Sequence, residues 1–129
     1  SECFLTDKKA VMNERLYALG QEVERLITEY SPTAIGIERL YFTKNQKTAM
    51  GVAEARGVLL EKAAQAHLPV FEYTPQQVKL AVTGSGASDK KAVERMIPRL
   101  ISISKEIKHD DEYDAIAIAL TCLASERFL

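Results

Sequence analysis

A chain of 129 residues, 47 per cent apolar and 27 per cent charged, has material for one well-packed core and too little length for two domains of ordinary size. Its formal net charge of -1 excludes a molecule-wide field that would gather nucleic acid, so any such contact must come from a local basic patch. The two cysteines, Cys3 and Cys122, lie far apart without zinc spacing, which suits reduced thiols better than a disulfide framework. No apolar run approaches the roughly 20 residues that cross a bilayer, and the chain reads as soluble and cytoplasmic with no membrane partner.

Taken in order, Ser1-Glu2-Cys3-Phe4-Leu5-Thr6 alternates in part and is compatible with one strand, but it starts abruptly, as a fragment would. Thr6 or Asp7 is placed to cap a helix running to about Tyr30, with Met12, Leu16, Leu19, Val23, Leu26 and Ile27 on its apolar face. Ser31-Pro32 ends it, because proline disfavours helical geometry in the residue before it. Ala34-Ile35-Gly36-Ile37 then reads as a short strand buried on both faces, with Glu38 at its carboxyl end. In open α/β sheets chemistry gathers beyond the carboxyl ends of strands, so Glu38 is either a working carboxylate or a surface glutamate that happens to follow a strand.

Thr43-Lys44-Asn45 offers caps for a long helix from about Gln46 to His67. Gly51, Ala53, Ala55 and Gly57 leave its surface shallow, for core packing or for a self-associating helix pair. Leu68 to Tyr73 is a second strand, and Thr74-Pro75-Gln76-Gln77 combines a capping Thr, Pro at the first helical position and Gln three residues on, so a short helix to about Val82 follows. Thr83-Gly84-Ser85-Gly86-Ala87 is a flexible loop. Ser88-Asp89 caps a further helix in which Pro98 predicts a kink or break near Ile97. The last helix opens at His109-Asp110-Asp111-Glu112-Tyr113-Asp114, and the apolar run from Ala115 to Leu123 predicts burial nearly all round. The order of strands and helices argues for an α/β sheet with helices on its faces.

Asp111 and Asp114, three apart, share a helix face; they are either dipole-stabilising first-turn acids or, opposite Glu38, part of a carboxylate cluster for magnesium or manganese. Arg39, Lys44, Lys47, Lys79, Lys90 and Lys91 are solvated lysines and an arginine, or cations for phosphates. Tyr41 and Phe42 are core aromatics, or platforms for an unpaired base. His67 and His109 lack partners at zinc spacing.

Five segments in register carry a resemblance. Ile37-Glu38-Arg39-Leu40-Tyr41-Phe42-Thr43-Lys44-Asn45, Ala53-Glu54-Ala55-Arg56-Gly57, Val70 to Lys79, Gly84 to Lys90 and Asp111 to Ala119 resemble the RuvC family of bacterial Holliday junction resolvases, over residues 34 to 125. The resemblance implies a ribonuclease H-like mixed sheet flanked by helices, here without its first two strands. It implies a single nuclease domain over residues 1–129, incomplete at its amino end, working as a homodimer that nicks two strands of like polarity at a four-way DNA junction in recombination and repair. It also implies two magnesium ions in the complete site, with manganese possible, and branch-migration partners of the RuvA and RuvB kind. By the same resemblance Glu38 is the second of four acidic ligands, and Asp111 and Asp114 are the last two. Tyr41 engages bases at the junction centre, Lys79 and Lys90 contact DNA near the scissile phosphate, and the helix from Gln46 pairs across the dimer.

The family opens with a strand bearing Ile-Asp-Pro-Gly, whose Asp is the first ligand, and these 129 residues contain no such segment. The 129-residue polypeptide is therefore expected not to cleave junctions. Two other readings compete: another ribonuclease H-like nuclease acting on RNA or branched DNA, and a catalytically dead junction-binding or dimerisation module.

Overall fold

The computed structural model describes residues 2–39 and 46–126, without the side chains of residues 46 and 47. Tyr41, Phe42 and the expected caps Thr43-Lys44-Asn45 lie outside the described residues. Seven elements follow in order: α1 (Met12–Tyr30), β1 (Ile35–Glu38), α2 (Gln46–Gln65), β2 (Val70–Tyr73), α3 (Pro75–Thr83), α4 (Lys90–Leu100) and α5 (Asp110–Ser125). They fall into two compact units: α1 with α2, and the bulk of β1 and β2 with α3, α4 and α5.

In the helical unit, α1 begins at Met12, later than its sequence suggests. Asp7 caps a turn of its own instead: its carboxylate accepts the Lys9 N–H (2.9 Å) and its carbonyl accepts the Ala10 N–H (3.1 Å). The residue before the helix is Val11, which has no capping side chain. The helix stops as expected at Ser31, in the left-handed region (φ 45°), whose N–H bonds the Ile27 carbonyl at 2.9 Å. The close approach expected from the glycines of α2 is made by Gly20 of α1. A Cβ at Gly20 would stand 3.1 Å from Lys62 Cε and 3.5 Å from Val58 Cγ1, whereas one at Gly57 would meet nothing within 4 Å. Lys62 then donates to Glu24 at 2.6 Å, and Val23 and Ala63 are buried nearby.

β1 and β2 form a two-stranded sheet. The Ile35 N–H bonds the Pro69 carbonyl (3.0 Å) and the Arg39 N–H bonds the Tyr73 carbonyl (2.7 Å). The offset is 34 residues at both ends, so the strands run parallel. Residues 2–6 form no strand, and all four positions of β1 are half-buried rather than buried on both faces. Among the described residues the strand has one neighbour in the sheet.

The core of the second unit gathers Tyr73, Val78, Val82, Val93, Ile97, Ala117, Ile118 and Cys122. Its elements start and stop on local chemistry. Thr74 and Gln77 form the expected capping box on α3, the Thr74 hydroxyl accepting the Gln77 N–H (3.2 Å) and the Gln77 side chain accepting the Thr74 N–H (2.8 Å). Gly84 ends α3 with φ 84°, a conformation that favours glycine. The segment expected as a flexible loop is laced by hydroxyls: Thr83 Oγ1 lies 2.7 Å from the Lys79 carbonyl and 2.9 Å from Ser88 Oγ. Asp89 caps α4 by accepting the Ala92 N–H at 2.8 Å.

Pro98 does not break α4 near Ile97. The helix continues to Leu100, since a proline so close to the end removes one hydrogen bond from a turn that is finishing anyway. Nor is α5 buried all round. Ala117, Ile118, Thr121 and Cys122 are buried, while Ala115, Ala119 and Leu123 form an exposed line at four-residue spacing, because α3, α4 and β1 cover only one side of the helix.

Ile97 is fully buried at the centre of this core. Ile97→Ala is expected to lower unfolding free energy by about 2–5 kcal/mol, and Thr74→Ala by about 1 kcal/mol, both read from urea denaturation. A loss at Ile97 no larger than that at Thr74 would mean that α4 is not packed as described.

Candidate active site

Glu38 closes β1, and α5 passes over the same strand. Where Gly36 lacks a side chain, a Cβ would stand 3.0 Å from Ile118 Cγ2 and 3.7 Å from Cys122 Cβ. The result is a cavity of about 220 Å³ lined by Glu38, Pro75, Val78, Lys79, Lys90, Val93, Asp114, Ala117 and Ile118. Val78, Val93, Ala117 and Ile118 belong to the buried core. Two carboxylates and two ammonium groups therefore ring an apolar floor.

The electrostatics follow from that floor. Burial raises the pKa of Glu38 above its ordinary value, and the negative charge of Asp114 raises it further, while Lys90 and Lys79 pull it back. Lys90 Nζ lies 3.4 Å from Asp114 Oδ2 and 3.7 Å from Asp110 Oδ2. Partial desolvation works against its charged form, but Asp114 and Asp110 outweigh it, and the Lys90 pKa is raised.

Of the sequence-predicted residues, Glu38, Asp114, Lys79 and Lys90 come together. Asp111 is exposed and does not line the cavity, and Tyr41 lies outside the described residues. Sequence reasoning passed over Asp110. Its four-residue spacing from Asp114 places the two on one helix face as firmly as the three-residue spacing of Asp111, and that signal was available. Among the described residues no three acidic, histidine or cysteine side chains are grouped closely enough to hold a metal ion. The pair Glu38 and Asp114 nevertheless fits a hard cation such as magnesium, which is held by one or two carboxylates with water and phosphate oxygens completing its shell.

Two further features frame the site without entering it. Arg39, just past Glu38, pairs with Glu72 of β2 at 3.2 Å. Lys105 pairs at 3.1 Å with Glu112, a buried carboxylate on the first turn of α5 whose pKa is lowered: desolvation would raise it, but Lys105 prevails.

Comparison with known proteins decides the family. The pattern described as "Crossover junction endodeoxyribonuclease RuvC" matches residues 1–122. This chain belongs to the RuvC family. The crossover junction endodeoxyribonuclease RuvC of Thermosipho melanesiensis is 50% identical over 121 residues, covering 94% of this chain and 76% of that protein. Its counterpart in Syntrophomonas wolfei is 42% identical over 123 residues, covering 95% and 72%. The solved structure of Thermus thermophilus RuvC superposes with a TM-score of 0.85 at 30% identity, covering 95% of this chain and 74% of that one. A second T. thermophilus structure, in complex with Holliday junction substrate, gives 0.86 at 30% identity, covering 92% and 72%. The α/β fold is thus that of RuvC, a ribonuclease H-like fold, and the Holliday junction resolvase assignment is that of the family. No helix among the described residues is long and apolar enough to cross a membrane.

The Glu38 carboxylate titrates higher in the folded protein than in the unfolded chain, so the folded state holds its proton more tightly. Stability that is present below the ordinary glutamate range is therefore lost as pH rises through the raised value. Glu38→Gln removes that loss. In chelator-treated samples the variant is expected to have a higher Tm than the parent at pH 7.5, and the difference should close towards pH 4. A difference independent of pH would place Glu38 outside the apolar cavity.

Proposed function

We propose that the cavity bearing Glu38, Asp114, Lys79 and Lys90 is the active site of a magnesium-dependent endonuclease that resolves four-way DNA junctions. The observation that carries this reading is the convergence of two carboxylates and two lysines on one apolar-floored cavity at the carboxyl end of a parallel strand. In this reading Glu38 and Asp114 hold the cation. Bound magnesium would supply Lewis-acid activation of water and neutralise charge developing on the phosphodiester.

The remaining work belongs to the chain itself. Lys79 and Lys90 flank the carboxylates, bind phosphate oxygens and fix the scissile group by charge. Val78, Val93, Ala117 and Ile118 keep water from the floor of the cavity, so the charges above it act in a medium less screening than bulk water. The lysines also favour the ionised form of Glu38, the form that ligation requires. Asp111 as a further ligand and Tyr41 as a base-stacking aromatic rest on the family pattern alone.

Several finer points belong to the same proposal. Residues 1–129 act as a single nuclease domain. Two copies pair through α2, where a Cβ at Gly57 would meet nothing within 4 Å among the described residues. Manganese substitutes for magnesium, the partners are junction DNA and RuvA- and RuvB-type motors, and the setting is the bacterial cytoplasm. Because the described residues bring only two carboxylates together, the 129-residue polypeptide is expected to give no cleavage by itself; preceded by the family's Ile-Asp-Pro-Gly strand pair, it should cleave.

In that extended protein, Glu38→Gln and Asp114→Asn should abolish cleavage of a synthetic four-way junction while leaving gel-shift binding within about 2-fold, since each removes a ligand and not a DNA contact. Asp111→Asn tests the exposed position, and retained cleavage would remove it from the site. Lys79→Ala and Lys90→Ala should each lower the slope of log affinity against log salt by about 1. An unchanged slope would make them ordinary surface lysines.

A further inference from the structure

The Lys90 ammonium occupies a particular place in this cavity. It stands between two carboxylates one turn apart on α5, 3.4 Å from Asp114 Oδ2 and 3.7 Å from Asp110 Oδ2, on the wall that faces Glu38. Its backbone is placed by α4, of which Lys90 is the first residue after the Asp89 cap. Without a cation here, Glu38 and Asp114 would set two negative charges above an apolar floor, with exposed Asp110 one turn away on α5. Lys90 supplies that cation from within the chain.

A divalent ion held by Glu38 and Asp114 would draw on the Asp114 carboxylate that Lys90 already engages. It would also set two positive charges against the ammonium. Lys90 and the ion therefore compete for the charge of Asp114. We propose that Lys90 is the resident counter-cation of the metal-free site, held by Asp110 and Asp114, and that it competes with the divalent ion and is freed towards the substrate phosphate when the ion binds. This deepens the active-site reading and rests on it. Asp110 becomes a positioning residue for Lys90, and metal loading and phosphate binding become linked: the ion that occupies the carboxylates releases the lysine that the phosphate uses.

The test is calorimetric titration of Mn²⁺ into the DNA-free 129-residue protein, with circular dichroism confirming that each variant folds. Lys90→Met should tighten Mn²⁺ binding by at least about 5-fold, the order given by one unit charge near 4 Å under the full screening of bulk water. Lys90→Arg, which keeps the charge, should stay near the parent. Lys79→Met, which removes a charge from the same cavity without touching the aspartates' ammonium, should change affinity less than Lys90→Met. An affinity in Lys90→Met equal to or weaker than the parent overturns the proposal while leaving the active site standing, and so does an equal gain from Lys79→Met. Absence, also in the protein extended by the family's Ile-Asp-Pro-Gly strand pair, of any Mn²⁺ binding that Glu38→Gln and Asp114→Asn remove overturns the active-site reading itself, and the proposal with it.

Discussion

The contact between Gly36 and Ile118 sets the register on which the site depends. Because β1 carries no side chain at that point, the Ile118 methyl reaches to 3.0 Å of where a Cβ would stand, and α5 lies close against the strand. From there, two residues forward along β1 is about 6.6 Å, and four residues back along α5 is about 6 Å. The first step arrives at Glu38 and the second at Asp114. Two carboxylates distant in sequence are brought level because strand and helix advance by matching lengths from one shared contact. A larger residue at position 36 would lift the helix and separate them, which gives the glycine a reason independent of backbone freedom.

The same packing explains why the cavity is electrostatically tense. Its floor is core, so the carboxylates lose solvation, and Glu38 responds by holding its proton more readily. Its rim is open, so Lys90 remains half-exposed and its ion pairs contribute little to stability. The charges are better understood as preparation for a ligand than as a source of fold stability. Stability comes from Ile97, Val93, Val82 and their neighbours beneath. The two roles are separated in depth within one short stretch of chain: in α4, Lys90 faces the cavity while Val93, three residues on, enters the core.

Most elements were legible because their signals are local. The capping box at Thr74, the Asp89 cap and the proline after Ser31 each act within four residues, and α3, α4 and the end of α1 follow them. The errors share a different cause. Thr6 and Asp7 both suit a helix cap, but the Asp7 carboxylate can equally close a turn with Lys9, and only the fold chooses between those uses. The apolar runs suggest burial on both faces for β1 and nearly all round for α5, because such a run does not state how many neighbours it will find. The convergence of Glu38 with Asp114 is legible from the family pattern and from the logic of strand ends, whereas the Asp110 contact to Lys90 joins two helices whose packing no local signal states.

That pair shows how a face and a site differ. On an ideal helix Asp111 lies seven residues before Ile118, almost two full turns, so it points along nearly the same line as the residue that touches β1. It is on the correct face. Yet it sits about 4.5 Å further along the axis than Asp114, beyond the level of Glu38, which is the last residue of the strand. Nothing in β1 remains opposite it, and it stands exposed above the rim of the cavity. A group that bound at Glu38 and Asp114 and extended past the strand end would pass beneath Asp111, whereas a group confined to the floor would not. The helix thus offers its acids in different settings, with Asp114 lining the cavity, Asp110 beside the ammonium of Lys90 and Asp111 exposed outside it. Which of them engages a ligand is set by how far along the helix, beyond the level of Glu38, that ligand reaches.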